Sequence, residues 1–417
     1  MLASITAETD TEARQAKYTS LLGTIHAEVF HVPLWGKQIP SVVRRSRLSG
    51  YTPGYQQFDY PIQNARIVSG SRTVKVAPGA QGGLFTTVGR LDPHSYRPNE
   101  FFSNNWVYEG LVAYGANGAV EPALATSWAV TADANGAETV RFSLRTGVTF
   151  HDGAAFTCAV VKLNFDHVFA GPLRGPDWHG WYGLPGALAD WSCDGEEFVL
   201  RAATPYYPLM QELTYIRPLR MLSPTAFVDG IATSPIHNNS CPTGWGIVDG
   251  GDSHPDLHCA GTLSISGTGP FQFVSRETNA NGDDNLVVFA ANTNYWAGAP
   301  DFDNLHIVRH DSDAAVKAAL QSGDIDAVLG AGVFPPGDIR EFEYDSNFEV
   351  LRSAPTQNAV IIMNIADKNV RKTIVHAINK GPIVANELGG IEQPASQLFA
   401  TGAPFCDVNC SQIQLRL

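Results

Sequence analysis

Two arginines in an otherwise apolar, proline-containing stretch are the residues best suited to binding a charged group. Arg217 and Arg220 stand in the motif RPLR, directly after the run YYPLMQELTYI. An arginine is costly to bury without a partner, and its planar guanidinium matches the geometry of a carboxylate. Two interpretations of Arg217 stay open. It binds a carboxylate of a ligand, or it forms a structural salt bridge with a neighbouring Asp or Glu.

Aromatic residues are concentrated in the loop over residues 173–185, LRGPDWHGWYGLP. Trp178, Trp181 and Tyr182 carry large apolar surfaces. Ordinary aromatic packing in a core is one open interpretation of these residues.

The segment HPDLHC, residues 254–259, is the one stretch whose residue types suggest a metal. Pro255 argues against a helix that would bring His254 and His258 to one face, and the surroundings are rich in glycine and aspartate. A surface loop closed by a disulfide explains the segment better, so we predict no metal site.

Catalytic motifs are missing from the sequence. It contains no HExxH, GxSxG, P-loop or CxxC pattern, and Gly267-Thr268-Gly269 lacks the third glycine of a dinucleotide fingerprint. We therefore expect no enzyme, no catalytic residue and no cofactor, and we interpret GTGPF as a tight turn that leads into a strand.

The composition restricts the partners. The 41 acidic residues exceed the 28 basic ones, which argues against a broad nucleic-acid surface or an anionic membrane. No apolar run reaches the roughly 18 residues of a membrane helix. The 417 residues suffice for two or three lobes.

The number of cysteines and the first residues of the sequence indicate the cellular compartment in which the chain is expected. The six cysteines are even in number, which favours disulfides in an oxidising compartment over six free thiols, although 15 connectivities are possible. The segment MLASITAETD has neither a basic nor an apolar signal region, so no signal peptide is predicted in this chain.

The pattern along the chain predicts a mixed α/β fold. Glu138–Arg145 alternates apolar and polar residues and predicts a half-buried strand. Thr9–Val29 has apolar residues at helical spacing, with Thr9 and Glu12 as a capping box. Tyr207–Tyr215 predicts a further helix.

A longer stretch resembles a known family. Residues 104–157, from NNWVYEGLVAYG through EPALATSWAV and VRFSLRTGVTFHDGAAFT, resemble the signature region of family 5 extracellular solute-binding proteins, the receptors of ABC importers. LDPHSYRPN, YYPLMQEL, RPLR and GTGPF are most similar to the nickel-binding branch. The resemblance implies an α/β fold of the periplasmic-binding-protein type 2, with two lobes around a cleft, here rearranged or partial.

The resemblance also implies roles for five residues. Arg217 would hold the carboxylates of a small organic metal chelator, while Tyr96, Phe101 and Trp181 would line the cleft. Trp178 stands where the nickel-binding relatives have a second chelator-binding arginine. The relatives' metal-binding histidine belongs to a part of the second lobe that this pattern lacks, so no metal ligand is assigned.

The order of segments is unusual. Residues 1–65, here called the amino-terminal segment, resemble the carboxyl-terminal end of such a receptor. Residues 72–355 resemble its first lobe, with a signature subdomain at 104–230, and residues 356–417 resemble an incomplete start of its second lobe. A slice of a tandem array, a circular permutant and a faulty gene model are the alternatives.

The expected function is that of a periplasmic or extracellular solute receptor. It would capture a peptide or a nickel-chelate complex, as transported ligand rather than cofactor, for the membrane subunits of an ABC importer, without a nucleic-acid partner. The alternative is a receptor-like unit of a tandem array without transport function or working cleft.

Overall fold

The computed structural model describes residues 2–38, 40–55, 59–78, 91, 93–94, 105–115, 118–169, 183–215, 219–226, 247–249, 256–258, 265–280, 284–330, 334–400, 403 and 405. The helices are α1 (Leu2–Thr6), α2 (Thr11–Glu28), α3 (Cys158–Phe169), α4 (Leu184–Ala187), α5 (Leu209–Leu213), α6 (Asp313–Ser322), α7 (Pro336–Tyr344), α8 (Lys368–Ala377) and α9 (Lys380–Pro382), followed by a π-helical turn (Ile383–Glu387).

The strands are β1 (His31–Lys37), β2 (Pro40–Arg44), β3 (Leu48–Ser49), β4 (Arg66–Ile67), β5 (Thr73–Pro78), β6 (Val112–Tyr114), β7 (Val120–Pro122), β8 (Ala125–Ala132), β9 (Glu138–Leu144), β10 (Leu188–Asp194), β11 (Glu197–Ala202), β12 (Ile247–Asp249), β13 (Asp256–His258), β14 (Phe271–Thr278), β15 (Asp284–Ala291), β16 (Asn304–Val308), β17 (Ala327–Leu329), β18 (Phe348–Arg352), β19 (Gln357–Ile362) and β20 (Gln393–Pro394).

A seven-stranded mixed sheet forms the centre of the molecule, in the order β14-β15-β16-β5-β17-β2-β18. β5 runs parallel to both of its neighbours, and the remaining pairs are antiparallel. The inner strands are rich in buried valines, including Val42, Val43, Val74 and Val76, as expected of strands with both faces covered. The amino-terminal segment contributes β2, so it belongs to the same sheet as residues 72–355.

A four-stranded antiparallel sheet, in the order β10-β11-β9-β8, packs against α3 through aromatic rings. The ring centroids of Phe165 and Phe198 are 4.6 Å apart, a distance typical of favourable aromatic pairs. A disulfide between Cys158 and Cys193 joins the first turn of α3 to β10. The other four cysteines, Cys241, Cys259, Cys406 and Cys410, lie outside the described residues.

A smaller sheet, in the order β19-β1-β20, combines the amino-terminal segment with residues beyond 356. α8 covers it through Ile374 and Val375, which pack near Val32. Among the described helices, none is long and apolar enough to cross a bilayer.

α2 connects this part of the molecule with the loop before α5. The Arg14 guanidinium lies 4.2 Å from the ring centroid of Tyr207 and 4.5 Å from that of Phe405. The Tyr18 and Tyr207 hydroxyls form a hydrogen bond of 2.5 Å. These contacts tie the amino-terminal segment to the neighbourhood of the YYPLMQEL motif.

Local periodicity predicted several of these elements, but some boundaries were wrong. The predicted strand Glu138–Arg145 is observed at Glu138–Leu144, with Val140 and Phe142 fully buried. The predicted capping box of α2 is wrong, because Asp10 rather than Thr9 caps the helix by accepting from the Ala13 backbone N–H at 2.8 Å. An aspartate at this position satisfies a free N–H as well as threonine does.

Candidate ligand-binding site

The five residues predicted to contact a ligand, Tyr96, Phe101, Trp178, Trp181 and Arg217, lie outside the described residues. The structure describes the positions that flank them in the chain. Those positions show how the framework holds the chain on either side of the five residues. They are His94, Asn105, Gly183, Thr214 and Arg220.

A buried histidine joins the chain just before Tyr96 to the chain just after Arg217. His94 is fully buried, and its Nε2 donates to the Arg220 carbonyl at 2.8 Å. On the far side, Asn164 of α3 accepts from the Leu222 N–H at 2.8 Å and donates to the Leu222 carbonyl at 3.0 Å. The motifs LDPHSYRPN and RPLR are therefore connected through described residues.

The burial of His94 predicts a loss of stability in acid. Burial lowers the pKa of His94 to about 4, whereas a histidine in an unfolded chain has a pKa of about 6.5. Between these two values His94 is protonated in the unfolded chain but not in the folded chain. The free energy of unfolding therefore falls as the pH drops from 6.5 towards 4. We expect about 3 kcal/mol of unfolding free energy to be lost over this window.

The measurement is chemical denaturation at several pH values for the parent chain and for His94→Gln. The variant should show a flatter dependence, with a remaining slope from His151, whose pKa burial also lowers. His376→Gln, a change on the exposed end of α8, serves as the control. Equal slopes for the parent chain and His94→Gln would contradict the prediction.

Arg220 is the charged centre of this framework. It is 5% exposed, and its Nη2 donates to the Thr214 carbonyl at 3.0 Å. This bond links the two chain segments on either side of Arg217. Burial lowers the pKa of Arg220 to about 10, so it remains a cation at neutral pH, while the charges of Asp59 and Glu109 oppose that shift.

Glu109 is the buried carboxylate that accompanies this cation. It accepts from Thr268 Oγ1 at 2.7 Å, from the Tyr295 hydroxyl at 2.9 Å and from Trp296 Nε1 at 2.9 Å. Burial raises the pKa of Glu109, although these donors and the charge of Arg220 favour its ionised form. Sequence reasoning missed this residue. Its signal is a glutamate inside the apolar run WVYEGLV, where burial demands partners.

The second carboxylate comes from the amino-terminal segment. Asp59 is partly buried and accepts from Asn105 Nδ2 at 3.0 Å through Oδ1. Burial raises its pKa, and the Arg220 charge lowers it. Arg220 thus interacts with carboxylates from two distant parts of the chain, which indicates a structural role for this second arginine of RPLR.

The GTGPF motif approaches the backbone of this region closely. A Cβ atom on Gly267 would lie 2.0 Å from the Val107 carbonyl oxygen, and one on Gly269 would lie 2.5 Å from the Trp106 carbonyl oxygen. Only glycine fits at such distances. The motif bends directly before β14, which begins at Phe271, so the prediction that GTGPF leads into a strand is confirmed.

The tryptophan-rich loop is anchored at its end. Glu212 of α5 accepts from the backbone N–H groups of Gly183 and Leu184, each at 3.0 Å, and from the Tyr206 hydroxyl. Burial raises the pKa of Glu212. The chain directly after Trp178 and Trp181 is therefore held by the helix that precedes Arg217.

The described residues around Arg220, Glu109 and Glu212 form a hydrogen-bonded framework. In the part of the chain that the structure describes, no three His, Cys, Asp or Glu residues lie close enough together to hold a metal ion.

Comparison with known proteins decides the family. The model of the bacterial extracellular solute-binding proteins, family 5 Middle, matches residues 119–409, well over half of the chain. The chain belongs to this family. It is 29% identical over 336 residues to the nickel-binding periplasmic protein of Escherichia coli (strain K12), which covers 78% of the chain and 56% of that protein.

Two further proteins are similar to the chain. The chain is 26% identical over 343 residues to the glutathione-binding protein GsiB of Pectobacterium atrosepticum. This match covers 79% of the chain and 57% of that protein. The crystal structure of NikA from Brucella suis in complex with Fe(III)-EDTA superposes with a TM-score of 0.60 at 26% identity, covering 80% of the chain and 59% of NikA.

Two consequences follow for this family 5 chain. The predicted fold class, a two-lobe α/β fold of the periplasmic-binding-protein type 2, is confirmed, and NikZ from Campylobacter jejuni shares the fold at a TM-score of 0.51. The chain also spans little more than half the length of the relatives it matches, between 56% and 59%.

Proposed function

We propose that this family 5 chain is a solute receptor of an ABC importer. It captures a small solute between two lobes, and the closed form is presented to the membrane subunits of the importer. In this proposal the chain binds its solute and catalyses no reaction. The anchoring of the RPLR segment carries the proposal, since Thr214, Arg220 and His94 hold both flanks of Arg217 and Glu212 holds the end of the tryptophan loop.

The ligand we propose carries carboxylate groups. Arg217 would grip a carboxylate with its guanidinium, and Tyr96, Phe101, Trp178 and Trp181 would supply an aromatic wall. A nickel complex of a small polycarboxylate and a short peptide both fit this chemistry. One relative is named a nickel-binding protein and another a glutathione-binding protein. These names support nickel complexes and short peptides as ligand classes.

We propose a periplasmic or other extracytoplasmic location. The E. coli relative is named a periplasmic protein. The disulfide between Cys158 and Cys193 supports an oxidising compartment, because such bonds are rare where thiols are kept reduced.

The test is calorimetric titration of the purified chain with nickel chloride, with nickel plus citrate, and with trialanine. We expect saturable binding of at least one probe, and we expect Arg217→Ala to weaken it by about 10- to 100-fold through the loss of a charge-assisted hydrogen bond pair. Arg141→Ala is the control, because Arg141 pairs with Asp194 and Glu197 on the exposed β9–β11 surface.

The outcomes separate the possibilities. Binding of nickel with citrate that Arg217→Ala abolishes supports the metal-chelate receptor, and binding of trialanine alone moves the ligand class to peptides. An absence of heat with every probe, from a chain whose circular dichroism shows it to be folded, would overturn the receptor proposal for this chain.

A further inference from the structure

The connection between the amino-terminal segment and the first-lobe residues is held by one arginine. The junction, residues 68–72, links β4 to β5. Arg47 donates from Nη2 to the Ser71 carbonyl at 2.9 Å and to the Thr73 carbonyl at 3.2 Å, and from Nη1 to the Ser69 carbonyl. Its Nε binds Asp326 Oδ1 at 2.7 Å, so one side chain joins the junction to the sheet.

The partner carboxylate is itself part of the central sheet. Asp326 precedes β17, and its Oδ2 accepts from the Lys75 backbone N–H of β5 at 2.9 Å. The side chains of Arg47 and Asp326 are 16% and 6% exposed. An ion pair with little exposure and full hydrogen bonding is costly to disrupt on one side only.

The amino-terminal segment supplies an inner strand rather than an attachment at an edge. Val42 and Val43 of β2 pair with Val328 and Ala327 of β17 on one side and with β18 on the other. Arg44, at the end of β2, donates to the Leu320 carbonyl at 2.7 Å. Removal of β2 would leave β17 and β18 without backbone partners on their facing edges.

The loop that follows β3 extends this interface to the candidate site. Trp106 Nε1 donates to the Tyr60 carbonyl at 2.7 Å, and Asn105 donates to Asp59. The Ile67 N–H binds Asp301 Oδ2 at 2.8 Å. The amino-terminal segment therefore contacts the sheet and the residues around Arg220.

We propose that residues 40–67 complete the first lobe of their own chain, with Arg47 as the residue that fixes this arrangement. The central sheet of one molecule then needs no strand from a second copy of the chain. This proposal does not depend on the identity of the ligand.

The length of the junction favours pairing within one chain. The six residue steps from Ile67 to Thr73 span at most about 20 Å when fully extended. If two copies exchanged their amino-terminal segments, β4 in one lobe and β5 in the other would have to lie within this distance. The junction would also leave Arg47, losing the bonds to the carbonyls of Ser69, Ser71 and Thr73.

The first experiment cuts the junction in the full chain. A ten-residue glycine–serine insert with a specific protease site is placed between Gly70 and Ser71, and mass is measured by light scattering before and after cleavage. We expect one molecule of 44.9 kDa plus the insert, with both pieces held together after cleavage. Separation of the pieces, or an uncut mass of two copies or more, would overturn the proposal.

The second experiment tests Arg47 without an insert. The parent chain, Arg47→Met and Arg72→Met are refolded from denaturant at high concentration, and the fraction of dimer is measured. We expect the parent and Arg72→Met to be monomeric, since Arg72 forms only an exposed pair with Asp303. Arg47→Met should raise the dimer fraction about tenfold or more. An unchanged fraction would remove Arg47 from the proposal.

Discussion

Arg220→Met is expected to lower the free energy of unfolding by about 3–5 kcal/mol. Arg220 is 5% exposed, and its charge interacts with the buried carboxylate of Glu109. Removal of the cation leaves Glu109 without its compensating charge in a site where water cannot replace it. The Thr214 carbonyl would lose its donor as well.

The effect should depend on pH in a defined direction. Burial already raises the pKa of Glu109 in the folded state, and loss of Arg220 would raise it further. A carboxyl group with a raised folded pKa destabilises the fold once the pH rises above its unfolded value. The loss caused by Arg220→Met should therefore shrink in acid, where Glu109 is protonated in both states.

Denaturant unfolding of four chains checks this result. Arg220→Met combined with Glu109→Gln should recover part of the lost stability, because the two changes act on one interaction. Arg141→Met is the matched control on an exposed surface, where an ion pair contributes little. A stability of Arg220→Met equal to that of the control would contradict a central role for this buried charge.

Sequence patterns predicted the elements that depend on near neighbours. The alternation of Val140 and Phe142 with polar residues indicated β9. This prediction needed only the period of two that a half-buried strand imposes on its own residues.

Interactions between distant residues could not be predicted in the same way. Glu109 is bound by Thr268, Tyr295 and Trp296, more than 150 positions later in the chain. The pairing of β2 with β17 and β18 also joins distant segments. No local period records such partners, so the residue pattern did not reveal the structural role of Arg220.

The ligand contacts and the domain boundaries stay predictions. Tyr96, Phe101, Trp178, Trp181 and Arg217 were assigned by resemblance to motifs, and they lie outside the described residues. The division into 1–65, 72–355 and 356–417 followed the order of those motifs. The structure adds that strands cross these boundaries, since β1 of the first segment pairs with β19 of the last.

Loss of the disulfide between Cys158 and Cys193 should lower the free energy of unfolding by about 3–4 kcal/mol. The bond closes a loop with a sequence separation of 35 residues, and a loop of this size restricts the unfolded chain by about that amount in the loop-entropy model. It also fastens the start of α3 to β10, while Phe165 and Trp191 pack between the same two elements. Sequence reasoning predicted disulfides from six cysteines but left this pairing open, because α3 and β10 meet only in the folded chain.

The measurement compares denaturant unfolding of the parent chain and of Cys158→Ala/Cys193→Ala, each with and without reductant. The parent without reductant should be the most stable, and reductant should bring it close to the double variant, because both then have the same unrestricted unfolded chain. Any sensitivity to reductant that remains in the double variant would report bonds among Cys241, Cys259, Cys406 and Cys410. Equal stability of the oxidised parent and the double variant would contradict the prediction. It would mean that the packing of α3 on β10 and β11, rather than the covalent bond, holds this side of the lobe together.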